Sequence, residues 1–366
     1  MLDTAIVGGG LCGLAIASGL SAGGDNFAVF EARPRPGGRI LSSDIATPGL
    51  ASDLGPTWYW PDSQPRIARL IADLGLTPFA QPDGETVLHL KDPNAKPDIL
   101  SAGPVHAGAR RVSGGFGTVI AALTRRLPRE TLHFGHVLMA VVDRLDHIEL
   151  HFLRGYEPVV VKARSVVLAV PPRLLEERVS FAPALDAPLR RILRDTPTWM
   201  AGSAKAICGF ERPFWRDAGD TGNAFATHPQ AVLGEVFDAS DEPAGRTALG
   251  GFVTLPIALR ESFKAGLPML VRSQLVQLFG GGAERSTPHI HDWATETYTC
   301  STLDHTPPDG HPEYGSRALR LSHWNDKLYF GSSETASYGG GYMEGALEAA
   351  GRILKELALD RALTTH

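Results

Sequence analysis

Three cysteines, Cys12, Cys208 and Cys300, are all that 366 residues hold. An odd count at wide spacing supports no disulfide framework, so three reduced thiols in a cytoplasmic protein are expected. Long apolar runs are also missing. The first, Ala5-Ile6-Val7, follows the acidic Asp3 and stops at Gly8, too short for the hydrophobic region of a signal peptide. With structure starting so close to Met1, no targeting segment is expected ahead of it. No later stretch reaches bilayer length and the C-terminal residues are polar, so no membrane anchor is expected. Runs of like charge are absent too. With a net charge of −5, neither nucleic acid nor an anionic membrane is indicated as a partner. His289, His291 and His305 have no carboxylate or cysteine at a recognised ligand spacing, and no metal is expected.

Glycine, by contrast, is plentiful, and its placement near the start is informative. Gly8, Gly10 and Gly13 fall at G-x-G-x-x-G spacing, with Leu11 and Cys12 between the last two. The apolar run before them suits a buried strand. Leu14, Ile16, Ala17 and Leu20 continue in a helical pattern until Gly23-Gly24, and a second strand over 27–30 ends on Glu31. Strand, tight turn, helix, strand and acid together form a dinucleotide-binding pattern. The turn lets a pyrophosphate approach the backbone, and the helix N-terminus offers it free N–H groups and a positive dipole end. Glu31 is placed to accept hydrogen bonds from adenosine ribose hydroxyls and to disfavour a 2′-phosphate.

The rest alternates short strands with helices, and the length allows two domains or one with a large insertion. Helices are expected over 64–74, from the glycines of 112–117 to 127, over 185–196, over 269–279 and from about 343. Strands are expected over 132–142, 148–153, 159–170, 200–210, 232–237, 249–255 and 328–331. Residues 79–109 are polar and contain proline, with one strand-like piece at 86–90.

After Glu31 the chain reads Ala32-Arg33 and then Gly37-Gly38-Arg39. Here the sequence resembles the FAD-dependent amine oxidases, the group with monoamine, polyamine and L-amino-acid oxidases, as a short, bacterial-type member. The closing Y-F-G-S-S-E-T-A and G-Y-M-E-G-A, and an apolar strand before Pro213-Phe214-Trp215, are similar to that family as well. The resemblance implies an α/β fold: a Rossmann-type, glutathione-reductase-like FAD-binding domain from 1–78, 110–182 and 316–366. An α+β substrate domain from 79–109 and 183–315 is inserted into it. FAD rather than NAD is implied. Gly8, Gly10, Leu11, Cys12 and Gly13 would meet its pyrophosphate, Glu31 its ribose, and Ala32, Arg33, Gly38 and Arg39 the pyrophosphate and flavin. Gly55, Pro56, Thr57 and Trp58 resemble a stretch beneath the flavin, Pro56 standing where the family has a glycine. The backbone near Leu138 would contact adenine, and Glu334 would face the pyrophosphate or ribitol. The helix at Met343 would aim its N-terminus at the flavin pyrimidine carbonyl.

The same resemblance assigns catalytic positions. Lys205 lies eight residues before Pro213, where relatives have a lysine that holds a water against flavin N5, and Tyr342 would stand on the substrate side of the ring. Counting from Tyr298 aligns Thr302 with the flavin-bonded cysteine of monoamine oxidase and Leu303 with a tyrosine of its substrate cage. Non-covalent FAD and a one-sided cage, Leu303 opposite Tyr342, are therefore expected. The shortness of 79–109 implies a smaller cap and a more open entrance. The implied reaction takes an amine C–N bond to an imine, with hydride transfer to FAD and reoxidation by dioxygen to hydrogen peroxide. Its partners are a small-molecule amine and dioxygen. A flavin dehydrogenase, desaturase or isomerase acting on a non-amine remains an alternative, as does a redox-silent flavin-binding module, because fold does not fix chemistry.

Overall fold

In the computed structural model, which describes residues 1–42 and 52–364, the chain opens with β1 (Leu2–Val7), α1 (Leu11–Gly23) and β2 (Phe27–Glu31). Residues 43–51 and 365–366, inside the segments expected to bind FAD, lie outside the described residues. β1 pairs in parallel with β2 on one side and with the long strand Glu157–Leu168 on the other. Strand Leu328–Phe330 adds in parallel to Glu157–Leu168, and Leu132–Phe134 to β2. Strands His136–Asp143 and Ile148–Arg154 extend this eight-stranded sheet in antiparallel fashion, and Ser180–Ala182 closes its edge.

Both faces of the parallel core are covered, which is why its strands read as apolar runs instead of alternating. Ile6, Val29, Val167 and Tyr329 face α1, the helix Gly117–Arg125 and the last helix, Met343–Thr364. Ala5, Val7, Ala28, Phe30, Val166 and Leu168 face the antiparallel strands and the helix Ala187–Asp195.

A second sheet has seven strands in the order 289–292, 204–210, 247–253, 233–238, 224–226, 86–90 and 98–101. One face packs on the helix Leu267–Phe279, with Ala204, Ala206, Cys208, Leu249 and Val236 against Val271, Leu275 and Leu278. The period-two alternation of a strand turns Lys205 and Ile207 to the other face. There Ile207 and Phe237 pack with Leu54, Phe252 and Trp58. A two-stranded ladder of Pro78–Ala80 with Arg110–Val112 completes the described strands.

Three expectations are corrected. The strand over 132–142 is two strands with different partners, because Gly135 takes a left-handed conformation (φ 72°) and turns the chain. The strand expected from 200 begins at Ala204, after a turn in which Met200 has φ 57°. Residues 79–109 contain Asp98–Ser101 besides the strand at 86–90. Asp98–Ser101 is a wholly exposed edge strand without the apolar pattern that would mark it.

Candidate active site

A cavity of about 1030 Å³ opens between the two sheets, at the upper end of the roughly 300–1,000 Å³ usual for small-molecule sites. Its first wall is the β1–α1 turn. Gly8 has φ 106°, and a Cβ there would lie 2.4 Å from the Ala169 carbonyl oxygen. A Cβ on Gly13 would lie 2.0 Å from the Gly8 carbonyl oxygen, so only glycine lets the helix sit this close to the strand. The helix begins at Gly10 with no side-chain cap, and Gly8, Gly10, Leu11 and Cys12 line the cavity. Its first-turn N–H groups thus have no partner within the helix and suit an anionic group. Gly13 stands one layer behind that wall, serving the helix–strand contact.

Phe30, Glu31, Ala32 and Arg33 continue the wall, with His136, Val137 and Leu138 beside them. The Glu31 carboxylate accepts hydrogen bonds from the backbone N–H of Gly9 at 2.7 Å and of Arg33 at 2.8 Å. The Arg33 guanidinium donates to Glu296 at 2.7 Å and to Thr299 at 2.8 Å. That ties the opening of the chain to the segment Thr297-Tyr298-Thr299, which also lines the cavity. Gly38, Arg39, Gly55, Pro56, Thr57, Trp58 and Met343 contribute further wall. Glu334 does not reach it. Fully buried, Glu334 pairs with Arg39 at 2.7 Å, and it is Arg39 that faces the cavity. Its part is to hold that arginine in place.

Lys205 lines the same cavity while only 3% exposed. Its ammonium donates to the carbonyl of Asp53 at 3.1 Å, to that of Gly55 at 2.5 Å and to the Thr57 hydroxyl. All three N–H groups of the charged form are therefore used on the 53–57 loop, and Lys205 shapes that loop as well as charging the cavity. Burial pulls its pKa down to about 7, with Asp53 opposing. Burial also pushes the Asp53 carboxyl up to about 6, against a hydrogen bond from Ser42 and the nearby Arg111 and Lys205 charges.

The aromatic part of the cavity differs from expectation. Tyr342 lines it, but Leu303 does not; Leu303 is 48% exposed. The cause is local. Ser301 and Asp304 form a capping box that closes Thr302–His305 into a 3-10 turn, and Arg173 fixes Asp304 at 2.6 Å. Thr302 is directed to Glu177, its hydroxyl donating at 3.2 Å, and is likewise absent from the wall. The ring that accompanies Tyr342 is Trp199, 6.4 Å away centroid to centroid. It belongs to a loop whose Thr198 N–H donates to the same Asp304 at 3.0 Å. His311 stacks on Tyr342 at 4.9 Å with the rings 3° from parallel.

Sequence reasoning missed Trp199, Phe252 and Glu235, all on the wall. Phe252 and Glu235 reach it because they stand in register with Lys205 across the sheet, information no local pattern carries. The S-x-x-D of Ser301–Asp304 was a readable sign that Leu303 sits in a turn.

A glycine cradle at a helix N-terminus, an acid at the end of the second strand and a second helix N-terminus at Met343 fit an FAD-sized ligand. The comparisons agree. A family model described as flavin containing amine oxidoreductase matches residues 94–354, and one of NAD(P)-binding Rossmann-like domains matches residues 6–74. Amine oxidase [flavin-containing] B of Sus scrofa is 25% identical, covering 97% of this chain and 86% of that protein. Its Homo sapiens counterpart is 25% identical with the same coverage. Among solved structures, wild-type putrescine oxidase bound to putrescine superposes with a TM-score of 0.80 at 20% identity, over 98% of this chain and 99% of that one. Cyclohexylamine oxidase from Brevibacterium oxydans IH-35A gives a TM-score of 0.76 at 17% identity, over 99% of each. With the family model spanning most of its length and the cradle to match, the chain belongs to the flavin containing amine oxidoreductases, and its cofactor is FAD.

Proposed function

We propose that this protein is an oxidase that converts a small-molecule amine to the corresponding imine. The observation that carries the reading is a single cavity joining the dinucleotide cradle to a compartment walled by Trp58, Phe252, Trp199 and Tyr342 and charged by Lys205. FAD, held by the cradle, would supply the acceptor for a hydride equivalent from the carbon beside the amine nitrogen, giving an imine that water would hydrolyse, with dioxygen as the final two-electron acceptor and hydrogen peroxide as its product. Segments 1–78, 110–182 and 316–366 form the FAD-binding part, and 79–109 with 183–315 the substrate part. Tyr342 and Trp199 hold the amine by their ring faces, a contact worth about 0.5–2 kcal/mol for a cation. Lys205 supplies positive charge where negative charge develops on dioxygen. Among the described residues no helix is long and apolar enough to cross a membrane. Three buried, unpaired cysteines suit a reducing cytoplasm.

The test is an anaerobic screen of amines and amino acids against the yellow holoprotein. At least one amine is expected to bleach the flavin absorbance, and admission of air to restore it with release of peroxide. Bleaching by a non-amine alone would replace this reading with that of a dehydrogenase or desaturase.

A further inference from the structure

Apart from Glu31 at the cradle, one other carboxylate lines the cavity among the described residues, and it is Glu235. Glu235 is the cross-strand partner of Phe252, and Phe252 is the cross-strand partner of Lys205. The three stand in one row, so Glu235 projects from the same face as Lys205, two strand spacings or roughly 9–10 Å along the sheet. A fully extended chain of about six or seven methylene groups between two nitrogens spans that separation, and shorter ones reach part of the way.

Among the described residues no lysine or arginine forms an ion pair with Glu235. The cationic groups of the wall are committed elsewhere: Arg33 to Glu296, Arg39 to Glu334, Arg178 to Glu177 and the Thr297 carbonyl, and Lys205 to the 53–57 loop. Among the described residues, the one hydrogen bond of the Glu235 side chain is with His106, Nε2 to Oε1 at 2.9 Å. His106 Nδ1 is buried without a partner. The arrangement that leaves no buried N–H unsatisfied therefore has hydrogen on Nε2 alone, donating to Glu235. The Nε2–H of His106 thus orients the carboxylate. His106 is itself fixed, stacked on Trp58 at 4.3 Å and with its backbone N–H on Asp83 at 2.6 Å. The Glu235 side chain is 30% exposed and faces the cavity beside Phe252, so a pre-positioned carboxylate is open to an incoming cation.

We propose that Glu235, positioned by His106, is a subsite for a second positive charge on the substrate, so that the preferred substrate is a diamine or longer polyamine and not a simple monoamine. This rests on the amine-oxidase reading above. One ammonium sits at Glu235, the aliphatic spacer lies along Trp58 and Phe252, and the other amine is presented to the Lys205 and Tyr342 part of the cavity.

The test compares kcat/KM of the holoenzyme for 1,4-diaminobutane against n-butylamine, and for 1,6-diaminohexane against n-hexylamine. In the wild type the diamine of at least one pair is favoured by about tenfold or more. Glu235→Gln brings that ratio close to one, chiefly through KM for the diamine. His106→Ala lowers the ratio in the same way, and His106→Gln, which keeps an N–H donor, restores most of it. The thermal shift of each holoprotein with 1,4-diaminobutane gives a second readout that needs no turnover. The wild type should be raised in Tm and Glu235→Gln should not. A wild-type ratio near one in both pairs, or a ratio unchanged in Glu235→Gln, overturns the subsite while leaving amine oxidation intact. If no amine is oxidised, amine oxidation fails on its own, and the thermal shift alone decides whether Glu235 binds a second cation.

Discussion

The backbone contacts of Glu31 at the end of β2 are compatible with the ribose role proposed for it. Each oxygen takes one backbone N–H, and a carboxylate has about four acceptor sites, so ribose hydroxyls can still be bound. Glu31→Ala should raise the Kd for FAD by roughly 1–3 kcal/mol, or about 5- to 150-fold. Titration of apoprotein with FAD measures it, and an unchanged Kd would remove the ribose role. For Lys205 the sign of the pH effect follows from burial. With the pKa drawn down to about 7, the amine is charged below that pH and loses its charge above it. The reaction of reduced holoenzyme with dioxygen should therefore slow as pH rises through about 7. In Lys205→Met it should be pH-independent over that range and slower by on the order of 10²–10³. Stopped-flow reoxidation reads both, and a variant reacting at the wild-type rate would leave Lys205 only its loop-shaping contacts. The two residues were legible in the sequence for different reasons. Glu31 was fixed by strand, turn and helix grammar within thirty residues, and Lys205 by its distance from Pro213-Phe214-Trp215. Trp199 and Glu235 were not legible, because their places depend on pairings between segments far apart in the chain.

Helix α2 (Pro65–Asp73) shows how one element is completed by another. Its N-terminal residue, Gln64, makes no side-chain cap. The missing acceptor comes from Glu344 in the first turn of the closing helix, fully buried, which takes the N–H groups of Arg66 at 2.9 Å and Ile67 at 3.1 Å. The Arg66 guanidinium adds an ion pair at 3.0 Å. Since the same turn brings Met343 to the cavity wall, this clip also fixes a helix N-terminus at the proposed flavin site. Glu344→Ala should cost about 2–4 kcal/mol, because two N–H groups lose their acceptor. Arg66→Ala, whose side chain is half exposed, should cost less than about 1 kcal/mol. Urea unfolding at saturating FAD distinguishes them, and equal, small losses would contradict the clip. The helix itself was readable from Ile67, Leu70, Ile71 and Leu74. Its cap was not, for the partner lies almost 280 residues away. The boundary missed at Gly135 is of another kind: a single left-handed glycine ends one strand and starts the next without interrupting the apolar pattern.

At the scale of the whole molecule, two sheets meet across one cavity, and the placement of Thr302 and the cysteines bears on how FAD is held. Thr302 is off the wall, its N–H and hydroxyl both on Glu177. Cys300 is buried and off the wall, and burial pushes its thiol up to about 12. Cys12 does line the cavity, yet burial pushes that thiol up to about 12 as well. The thiolate is the reactive form, so neither cysteine is competent near neutral pH. Expecting Thr302 at a bonding position was wrong in geometry, since residues 302–305 form a turn and not an extended strand, but non-covalent binding follows more firmly from where the thiols lie. In the proposed arrangement, retention would rest on the α1 N-terminus, Glu31, Arg39 and the Met343 helix, which all line the cavity and would act together over one long ligand. Holoprotein denatured in acid or guanidinium and separated by size should release all of its flavin to the small-molecule fraction. Its intact mass should be that of the bare polypeptide. A mass gain of one FAD, lost in Cys12→Ser or Cys300→Ser, would mean that binding of the cofactor itself activates a thiol that burial otherwise keeps protonated.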